Sequence, residues 1–247
     1  HGGSITLRQL MSHRSGMLRE PRVGNYFDDK EPTLEETVAS IIESDIVYAP
    51  KSRIKYSNAG IAVVGYVLER ITGNPFAIAL RDNVLIPMGL ENSAFEPTRE
   101  VKDRLAAATM WTYDGRQFPA PMFELGMSPA GSMYSSVKDL GQFMKVLFKE
   151  GEGPNGPVIS KEALMEMRIS QFSGGKDQRH NVGFGLGFSL SEQGGYKRVW
   201  HGGAIYGFST QLYALSEVKL GVAVTSSVDV TNTITRRLSV YALDCLL

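Results

Sequence analysis

The hydrophobic period of this chain changes near Val182, and that change most constrains its fold. Before this point, apolar residues recur at helical spacing behind capping signals. After it, short stretches rich in glycine, aromatic and β-branched residues predict antiparallel strands at 183–190, 196–200, 208–215 and 220–226. Residues 231–247 return to helical spacing. This order predicts an α+β fold in which helices flank one antiparallel sheet.

The chain has 247 residues, a length that suits one large domain or two interleaved ones. We find no internal repeat, low-complexity tract or linker. We therefore predict a single domain over residues 1–247. Within it, residues 1–180 form a mostly helical region, and residues 181–247 form the antiparallel strands and a C-terminal helix.

Several helix boundaries are predicted from local signals. Thr33–Glu36 is a capping box, and Asn74-Pro75 predicts a cap followed by a proline in the first turn. Ser57 and Gly73 bound a helix whose apolar residues predict a well-buried face: Ile61, Val64, Val67, Leu68 and Ile71. Further helices are predicted to begin at Ser135 or Ser136 and at Ser160.

The charge and the cysteine content limit the possible partners. The net charge of +0 argues against nucleic acid or an anionic membrane surface, which would need clustered Lys and Arg. Cys245 is the only cysteine, and the four histidines lack the spacing of zinc ligands. No apolar run approaches the roughly 20 residues of a membrane span. We expect a small-molecule ligand, no cofactor, no metal and no transmembrane segment.

Tyr56 and Asn58 are the first candidate catalytic residues, because a phenol and an amide two positions apart can serve one reaction centre. A tyrosine acts as a general base only if neighbouring cations or hydrogen bonds lower its pKa from about 10. A Tyr-x-Asn pattern is common on its own. A tyrosine that only packs beside a helix-start asparagine is the alternative.

The second candidate is the segment Trp200-His201-Gly202-Gly203-Ala204, which we place at the end of a strand. Two glycines let a ligand approach the backbone, and the N–H of Ala204 could donate to a developing oxyanion. His201 could add a hydrogen bond. The alternative is a glycine-rich β-turn with a half-exposed histidine.

Four stretches of the chain, taken in their order along the sequence, carry a resemblance to a known family. They are Ile5–Met17 with its Ser-His-Arg-Ser-Gly sequence, Tyr56-Ser57-Asn58, Pro129–Ser136 with Asp139-Leu140, and His201-Gly202-Gly203. With them the chain resembles the serine β-lactamase and penicillin-binding-protein-like superfamily, especially class C β-lactamases, D-alanyl-D-alanine carboxypeptidases and family VIII esterases. The resemblance covers nearly the whole chain and implies a β-lactamase/transpeptidase-like fold.

The resemblance implies hydrolysis of an ester or amide through an acyl-enzyme. A serine attacks the carbonyl, a lysine one helical turn later assists its deprotonation, and Tyr56 passes the proton to the leaving group. Asn58 takes the amide role, and Gly202, Gly203 and Ala204 take the substrate-binding and oxyanion role. His201 stands where many relatives have the lysine of Lys-Thr-Gly. The resemblance also favours a location outside the cytoplasm.

The histidine at this position bears on substrate choice. An ammonium attracts the carboxylate of a β-lactam or a peptide terminus, whereas a histidine is largely neutral at pH 7. His201 therefore favours esters or neutral amides, without excluding D-amino-acid peptides.

The family's Ser-x-x-Lys motif is expected before Ile5, so we predict that the nucleophile and the first strands lie upstream of this chain. Internal Ser-x-x-Lys matches are poorly placed for the role: Ser52–Lys55, Ser135–Lys138, Ser173–Lys176 and Ser216–Lys219. We therefore expect the 247 residues alone to be inactive and to need the missing segment of the same protein for stability.

The sequence allows two alternatives. Gly126-Met127-Ser128-Pro129-Ala130 approximates the nucleophile elbow of α/β-hydrolases, but Pro129 has no N–H for the oxyanion hole and the chain has no βαβ alternation. The other alternative is a non-catalytic, β-lactamase-like binding protein that keeps Tyr56, Asn58 and His201 as ligand contacts.

Overall fold

The computed structural model describes residues 4–172 and 182–247. The helices are α1 Leu7–Met11, α2 Leu34–Ala39, α3 Asn58–Thr72, α4 Phe76–Leu80, α5 Ile86–Met88, α6 Arg99–Arg104, α7 Ser128–Gly131, α8 Val137–Phe148, α9 Lys161–Met167 and α10 Asn232–Leu246. A π-helical turn, Arg81–Leu85, joins α4 to α5. The strands are β1 Thr109–Trp111, β2 Gln117–Pro119, β3 Glu152–Gly153, β4 Gly156–Pro157, β5 Gly183–Phe184, β6 Ser189–Gln193, β7 Tyr196–Ile205, β8 Phe208–Leu215 and β9 Leu220–Ser226. The predicted α+β class is confirmed.

Most of the predicted caps begin a helix. The Thr33 hydroxyl accepts from the backbone of Glu36 while the Glu36 carboxylate accepts from the backbone of Thr33, so the capping box is confirmed. Ser57 caps α3 through the backbone N–H of Gly60, and Gly73 ends that helix in the left-handed conformation. The Asn74 prediction was wrong: Pro75 itself occupies the cap position of α4 without a side-chain cap.

The sheet has the strand order β5-β6-β7-β8-β9 and antiparallel neighbours in β7–β8–β9. The stretch predicted as one strand at 183–190 divides into β5 and β6, which pair with each other through Gly183–Leu190 and Phe184–Ser189. β7 extends beyond the predicted end at Trp200 to Ile205. Two short hairpins, β1–β2 and β3–β4, were not predicted.

The chain forms two compact units that interleave in sequence, and we describe each by itself. The first comprises His1–Val84, Phe123–Met133 and Met165–Leu190. The second comprises Leu85–Met122, Tyr134–Leu164 and Ser191–Leu247. The single-domain assignment stays a prediction.

In the first unit, α3 buries small residues where large apolar ones were predicted. Its buried positions are Asn58, Ala59, Gly60, Ala62 and Gly65. The predicted apolar face is only partly buried, and Ile71 is 74% exposed. Small side chains bring the helix axis close to its neighbours. At Gly65, an added Cβ would lie 2.1 Å from a carbon of Pro129 in α7. Close contact with α7 and α1 thus explains the composition of α3.

In the second unit, α10 covers the sheet through Leu243, which packs with Tyr213 and Leu215 of β8. The start of α8 is held by a buried carboxylate. Asp139 accepts hydrogen bonds from the backbone and side chain of Asn92 and from the hydroxyl of Ser93. A buried charge with several donors is stable where an unpaired one would not be. Ser136, one of the two predicted caps, is the cap of this helix.

Within the described part of the chain, no helix combines the length and apolar character needed to cross a membrane. Across the same residues, no group of three or more His, Cys, Asp or Glu side chains is arranged to hold a metal ion.

Candidate functional site

Tyr56 lies in the first unit, immediately before the cap of α3, and aromatic rings hold its side chain. The His13 ring stacks on it with centroids 4.1 Å apart, and Phe184 meets His13 edge-on at 4.6 Å. His13 is buried, and its Nδ1 accepts a hydrogen bond from the backbone N–H of Ser57 at 3.1 Å. His13 therefore fixes both the ring and the backbone at Tyr56.

Asn58, the first residue of α3, directs its amide to a carboxylate. The side chain is 2% exposed, and its Nδ2 lies 3.0 and 2.9 Å from the two carboxylate oxygens of Glu20. The same nitrogen lies 3.3 Å from the hydroxyl of Tyr26. Tyr56 and Asn58 thus contact three residues, Arg19, Glu20 and Tyr26. We call these three residues the Glu20 cluster.

The two phenols of this region keep their protons at neutral pH. Burial raises the pKa of Tyr56 above 10.0; the Arg19 guanidinium, 5.4 Å from the ring centroid, opposes this, and Glu20 adds to it. Burial also raises the pKa of Tyr26 to about 12, with Glu20 and Tyr56 contributing. Arg19 is a cation that our sequence argument did not find, but burial outweighs it. In this chain Tyr56 is a proton donor at pH 7.

His201, Gly202, Gly203 and Ala204 lie in the second unit, in the C-terminal half of β7. Of the two sequence interpretations of the segment, the β-turn was wrong, and the strand ends one residue after Ala204 instead of at Trp200. The strand continues to Ile205, and the four residues pair in register with four residues of β8: Leu212, Gln211, Thr210 and Ser209. The segment is rigidly held along the β8 edge, whereas a turn would leave its backbone free.

Side chains of β8 leave little room for a Cβ at the two glycines. A Cβ on Gly203 would lie 2.4 Å from the hydroxyl oxygen of Thr210, and one on Gly202 would lie 3.0 Å from the amide oxygen of Gln211. The carbonyl of Gly203 accepts a hydrogen bond from Asn232 Nδ2 at 2.8 Å. Close packing against β8 is therefore a structural reason for glycine at these two positions, in addition to the proposed approach of a ligand.

His201 is neutral at pH 7. Burial lowers its pKa below 6.5, and a contact of 2.8 Å between Nδ1 and the carbonyl oxygen of Gly202 raises it only in part. Because that carbonyl can only accept, Nδ1 carries the proton of the neutral ring. The ring therefore presents a dipole, whereas a lysine at this position would present a full charge.

In the three internal Ser-x-x-Lys matches that the structure describes, the serine and the lysine do not lie together on one helix. Ser52 lies in a turn and donates to the carbonyl of Ala49, and Ser135 precedes the cap of α8 and shares a hydrogen bond with Ser93. Ser216 lies in the turn between β8 and β9, with its hydroxyl oxygen buried. The fourth match, Ser173–Lys176, lies outside the described residues.

The nucleophile-elbow alternative does not fit the fold. An elbow joins a strand to a helix. Ser128 begins the four-residue α7, and the residues that precede it, 120–127, form no strand. The alternative is therefore rejected on local geometry as well as on the missing N–H of Pro129.

Sequence reasoning missed the Glu20 cluster. Arg19 and Glu20 are two and three positions beyond Met17, the end of the recognised stretch, and Asn58 is 38 residues beyond Glu20. No spacing rule joins them. The only signal in the sequence was an adjacent pair of opposite charges shortly after the recognised stretch.

The fold and these side chains can now be set beside known proteins. Residues 1–244 match the family model described as Beta-lactamase. The chain belongs to the Beta-lactamase family. The structure superposes on the octameric penicillin-binding protein homologue of Pyrococcus abyssi with a TM-score of 0.83 and 26% identity, covering 99% of this chain and 56% of that one. The β-lactamase/transpeptidase-like fold is confirmed.

Curated relatives carry related names. Beta-lactamase-like protein 2 of Dictyostelium discoideum is 28% identical over 90% of this chain and 40% of its own length. Penicillin-binding protein 4 of Amycolatopsis lactamdurans is 25% identical over 81% of this chain and 54% of its own. The chain spans about half the length of these relatives. It belongs to a superfamily of hydrolases and penicillin-binding proteins.

Proposed function

We propose that this chain is part of a serine hydrolase that cleaves an ester or an amide through an acyl-enzyme. The observation that carries the proposal is the placement of Tyr56. In a member of the Beta-lactamase family, its phenol is held by His13, stands beside Asn58 and keeps its proton at neutral pH. A protonated phenol suits the delivery of a proton to a leaving group.

The proposed roles of the remaining residues follow from their chemistry. Asn58 orients polar groups next to Tyr56, and the backbone N–H of Ala204 donates to the developing oxyanion. Gly202 and Gly203 keep the strand surface beside that N–H free of side chains. His201, being neutral, contributes a hydrogen bond and attracts a substrate carboxylate less than a lysine would. We therefore propose that the substrate is an ester or a neutral amide.

We further propose that the nucleophilic serine and its lysine belong to a segment of the same protein outside these 247 residues. Two surfaces of the second unit support this. Among the described residues, β9 pairs with β8 along one edge and no strand pairs along the other. α10 exposes an apolar stripe at helical spacing, formed by Ile234, Leu238 and Tyr241. An open edge and an apolar stripe are suited to covering by further chain.

A non-catalytic binding protein is the second candidate. The observation that favours it is the engagement of the Asn58 amide with both oxygens of Glu20, because an amide so engaged is less available to a reacting group. In this candidate, Tyr56, Asn58 and His201 bind a ligand without turnover.

The test is reaction of the longest natural polypeptide that contains this chain with a serine-reactive fluorophosphonate, followed by intact-mass analysis and peptide mapping. Heat-denatured protein serves as the control for non-specific labelling. The variant Tyr56→Phe separates the role of the phenol: it should label about 10²-fold more slowly or worse, in the range of a lost general acid or base.

Each outcome decides between the candidates. An adduct on a serine outside residues 1–247 supports the hydrolase and its external nucleophile. An adduct on a serine within this chain supports a hydrolase and overturns the external nucleophile. No adduct on folded full-length protein favours the binding protein.

A further inference from the structure

The peptide group between Gly203 and Ala204 carries the N–H that we propose as the oxyanion donor. The residues around it belong to the second unit. Ile205 and Phe208 pair across a two-residue turn, so the backbone N–H and carbonyl of each point toward the opposite strand. In an antiparallel pair this direction alternates from one residue to the next. The N–H of Ala204 therefore points away from β8, and the carbonyl of Gly203 points toward it.

A side chain of α10 donates to this peptide group from the β8 side. Asn232, the first residue of α10, is half-buried, and its Nδ2 donates to the carbonyl oxygen of Gly203 at 2.8 Å. Because a carbonyl oxygen can only accept, the amide nitrogen is the atom that faces it. The amide oxygen of Asn232 accepts from the hydroxyl of Ser209, a fully buried residue, at 3.1 Å. Both ends of the Asn232 amide are therefore held.

These contacts form a chain of hydrogen bonds with one direction. The Ser209 hydroxyl donates to Asn232, the Asn232 amide donates to the Gly203 carbonyl, and the Ala204 N–H is the next donor along the chain. Hydrogen bonds in such a chain polarise one another and become stronger by about 10–30% per bond. Resonance in the peptide group carries this effect from the carbonyl to the N–H, because density drawn to the oxygen leaves the nitrogen. Asn232 thus strengthens Ala204 as a donor.

We propose that Asn232 is a positioning residue for the reaction. Its amide orients and polarises the Gly203–Ala204 peptide group, so that the N–H of Ala204 donates more strongly to the developing oxyanion. Asn232 acts through this peptide group and does not touch the substrate. The inference rests on the proposed function, since it needs an oxyanion at Ala204.

The test compares two esters that differ in one atom: p-nitrophenyl acetate and its thiono analogue, in which sulfur replaces the carbonyl oxygen. Sulfur accepts hydrogen bonds weakly, so the strength of the Ala204 donor affects mainly the oxygen ester. The protein is the longest natural polypeptide that contains this chain. Asn232→Leu keeps about the same volume and removes the donor. It should lower the ratio of kcat/KM for the oxygen ester to that for the thionoester about fivefold, less than the loss of about 10²–10³ for a deleted oxyanion donor.

Two further variants separate polarisation from stability. Asn155→Leu removes a bond of the same kind, from Asn155 Nδ2 to the carbonyl oxygen of Ile86 at 2.8 Å, and should leave the ratio unchanged. Ser209→Ala removes the donor to Asn232 and should lower the ratio about twofold. Because Ser209 acts through Asn232, adding Ser209→Ala to Asn232→Leu should lower the ratio no further. If Asn232→Leu fails to fold, Ser209→Ala still tests the inference.

A purely structural role of Asn232 would lower the rates for both esters equally. An unchanged ratio in Asn232→Leu, an equal fall in Asn155→Leu, or additive falls in the double variant would overturn the inference. If the protein labels with fluorophosphonate but hydrolyses neither ester, the labelling rate is measured instead, and Asn232→Leu alone should slow it about fivefold. If the unmutated protein neither hydrolyses the esters nor labels, the proposed function fails, and the inference fails with it. Labelling or hydrolysis that is insensitive to Asn232→Leu overturns the inference alone.

Discussion

At the scale of single residues, opposite charges act on one phenol. Arg19 and Glu20 are neighbours in sequence and form an ion pair, and they shift the pKa of Tyr56 in opposite directions. Their effects partly cancel, so burial decides the direction of the shift. A cation supplied by another segment would add to Arg19 and move the pKa of Tyr56 downward.

The raised pKa of Tyr26 predicts a loss of stability in alkali. Between pH 10 and about 12, the folded chain holds a proton on Tyr26 that the unfolded chain has released. Because the folded state binds more protons there, the free energy of unfolding falls as pH rises through this interval. Urea unfolding from pH 9 to 12 measures it. Tyr26→Phe should flatten the fall, whereas Tyr113→Phe, at a fully exposed position, should not.

His201 predicts a loss of stability in acid. Its pKa is lowered by burial, so below pH 6.5 the unfolded chain binds a proton that the folded chain does not. The free energy of unfolding therefore falls as pH drops through this range. NMR titration of the histidine ring protons, assigned with His201→Gln, should give a midpoint below 6.5. A midpoint above 6.5 would contradict the buried placement in β7.

The contact between Asn58 and Glu20 predicts a specific pattern of mutational costs. Asn58→Asp would place a second carboxylate about 3 Å from that of Glu20, and we expect it to lower the free energy of unfolding by about 3–5 kcal/mol. Asn58→Ala, which only removes the donor, should cost about 1–3 kcal/mol. Adding Glu20→Gln should recover part of the loss in Asn58→Asp. Urea unfolding measures the free energy of unfolding of the three variants. If adding Glu20→Gln restored none of the free energy lost in Asn58→Asp, the contact would be contradicted.

At the scale of elements, α3 shows how composition serves close approach. Gly65 leaves room for the ring of Pro129. The buried positions of α3 carry alanine and glycine, and its larger apolar residues lie at positions that are less buried. The face of α3 that is buried is therefore the one whose small side chains allow close contact with α7 and α1. A prediction from the hydrophobicity of the residues alone identifies a different face.

Gly65→Ala is expected to destabilise the protein, because its Cβ would overlap Pro129 at 2.1 Å. Overpacking of this kind costs about 1–3 kcal/mol. Gly141→Ala in α8 is the matched control, since a Cβ there meets nothing within 4 Å. It should stabilise by about 0.5–1 kcal/mol through helix propensity. Thermal unfolding of both variants should shift in opposite directions; parallel shifts would contradict the α3–α7 contact.

At the scale of the whole molecule, two exposed surfaces of the second unit concern us: one edge of β9 and the apolar stripe on α10. Among the residues that the structure describes, the second edge of β9 pairs with no strand, and the apolar stripe on α10 is exposed. A free sheet edge beside exposed apolar side chains is a site of association between copies. These surfaces bear on how the 247 residues behave alone.

We expect the isolated 247-residue chain to lack a cooperative unfolding transition at an ordinary midpoint and to self-associate. The unfolding measurements above are therefore made on the longest natural polypeptide that contains this chain. Replacing Leu238 and Tyr241 by lysine should reduce association measured by light scattering, because both side chains are more than half exposed. Phe27→Lys, at another exposed apolar position, is the control and should have a smaller effect. A monomeric chain with a cooperative calorimetric transition would contradict the prediction.

The sequence alone predicted the features that depend on neighbouring residues. The capping box at Thr33–Glu36, the bounds of α3 at Ser57 and Gly73, and strands β8 and β9 were read from local patterns and are confirmed. The extent of β7 was missed because glycines weaken a strand pattern, and here β8 supplies the pairing that keeps His201–Ile205 extended.

The sequence by itself determined the α+β class, the family resemblance and the candidate residues Tyr56, Asn58 and His201. Only the tertiary structure decided what surrounds them: Glu20 against Asn58, and His13 against Tyr56. The physical reason is that capping and periodicity act over a few residues along the chain. Burial, charge and hydrogen bonding act through space, between residues whose separation in sequence carries no information about their distance.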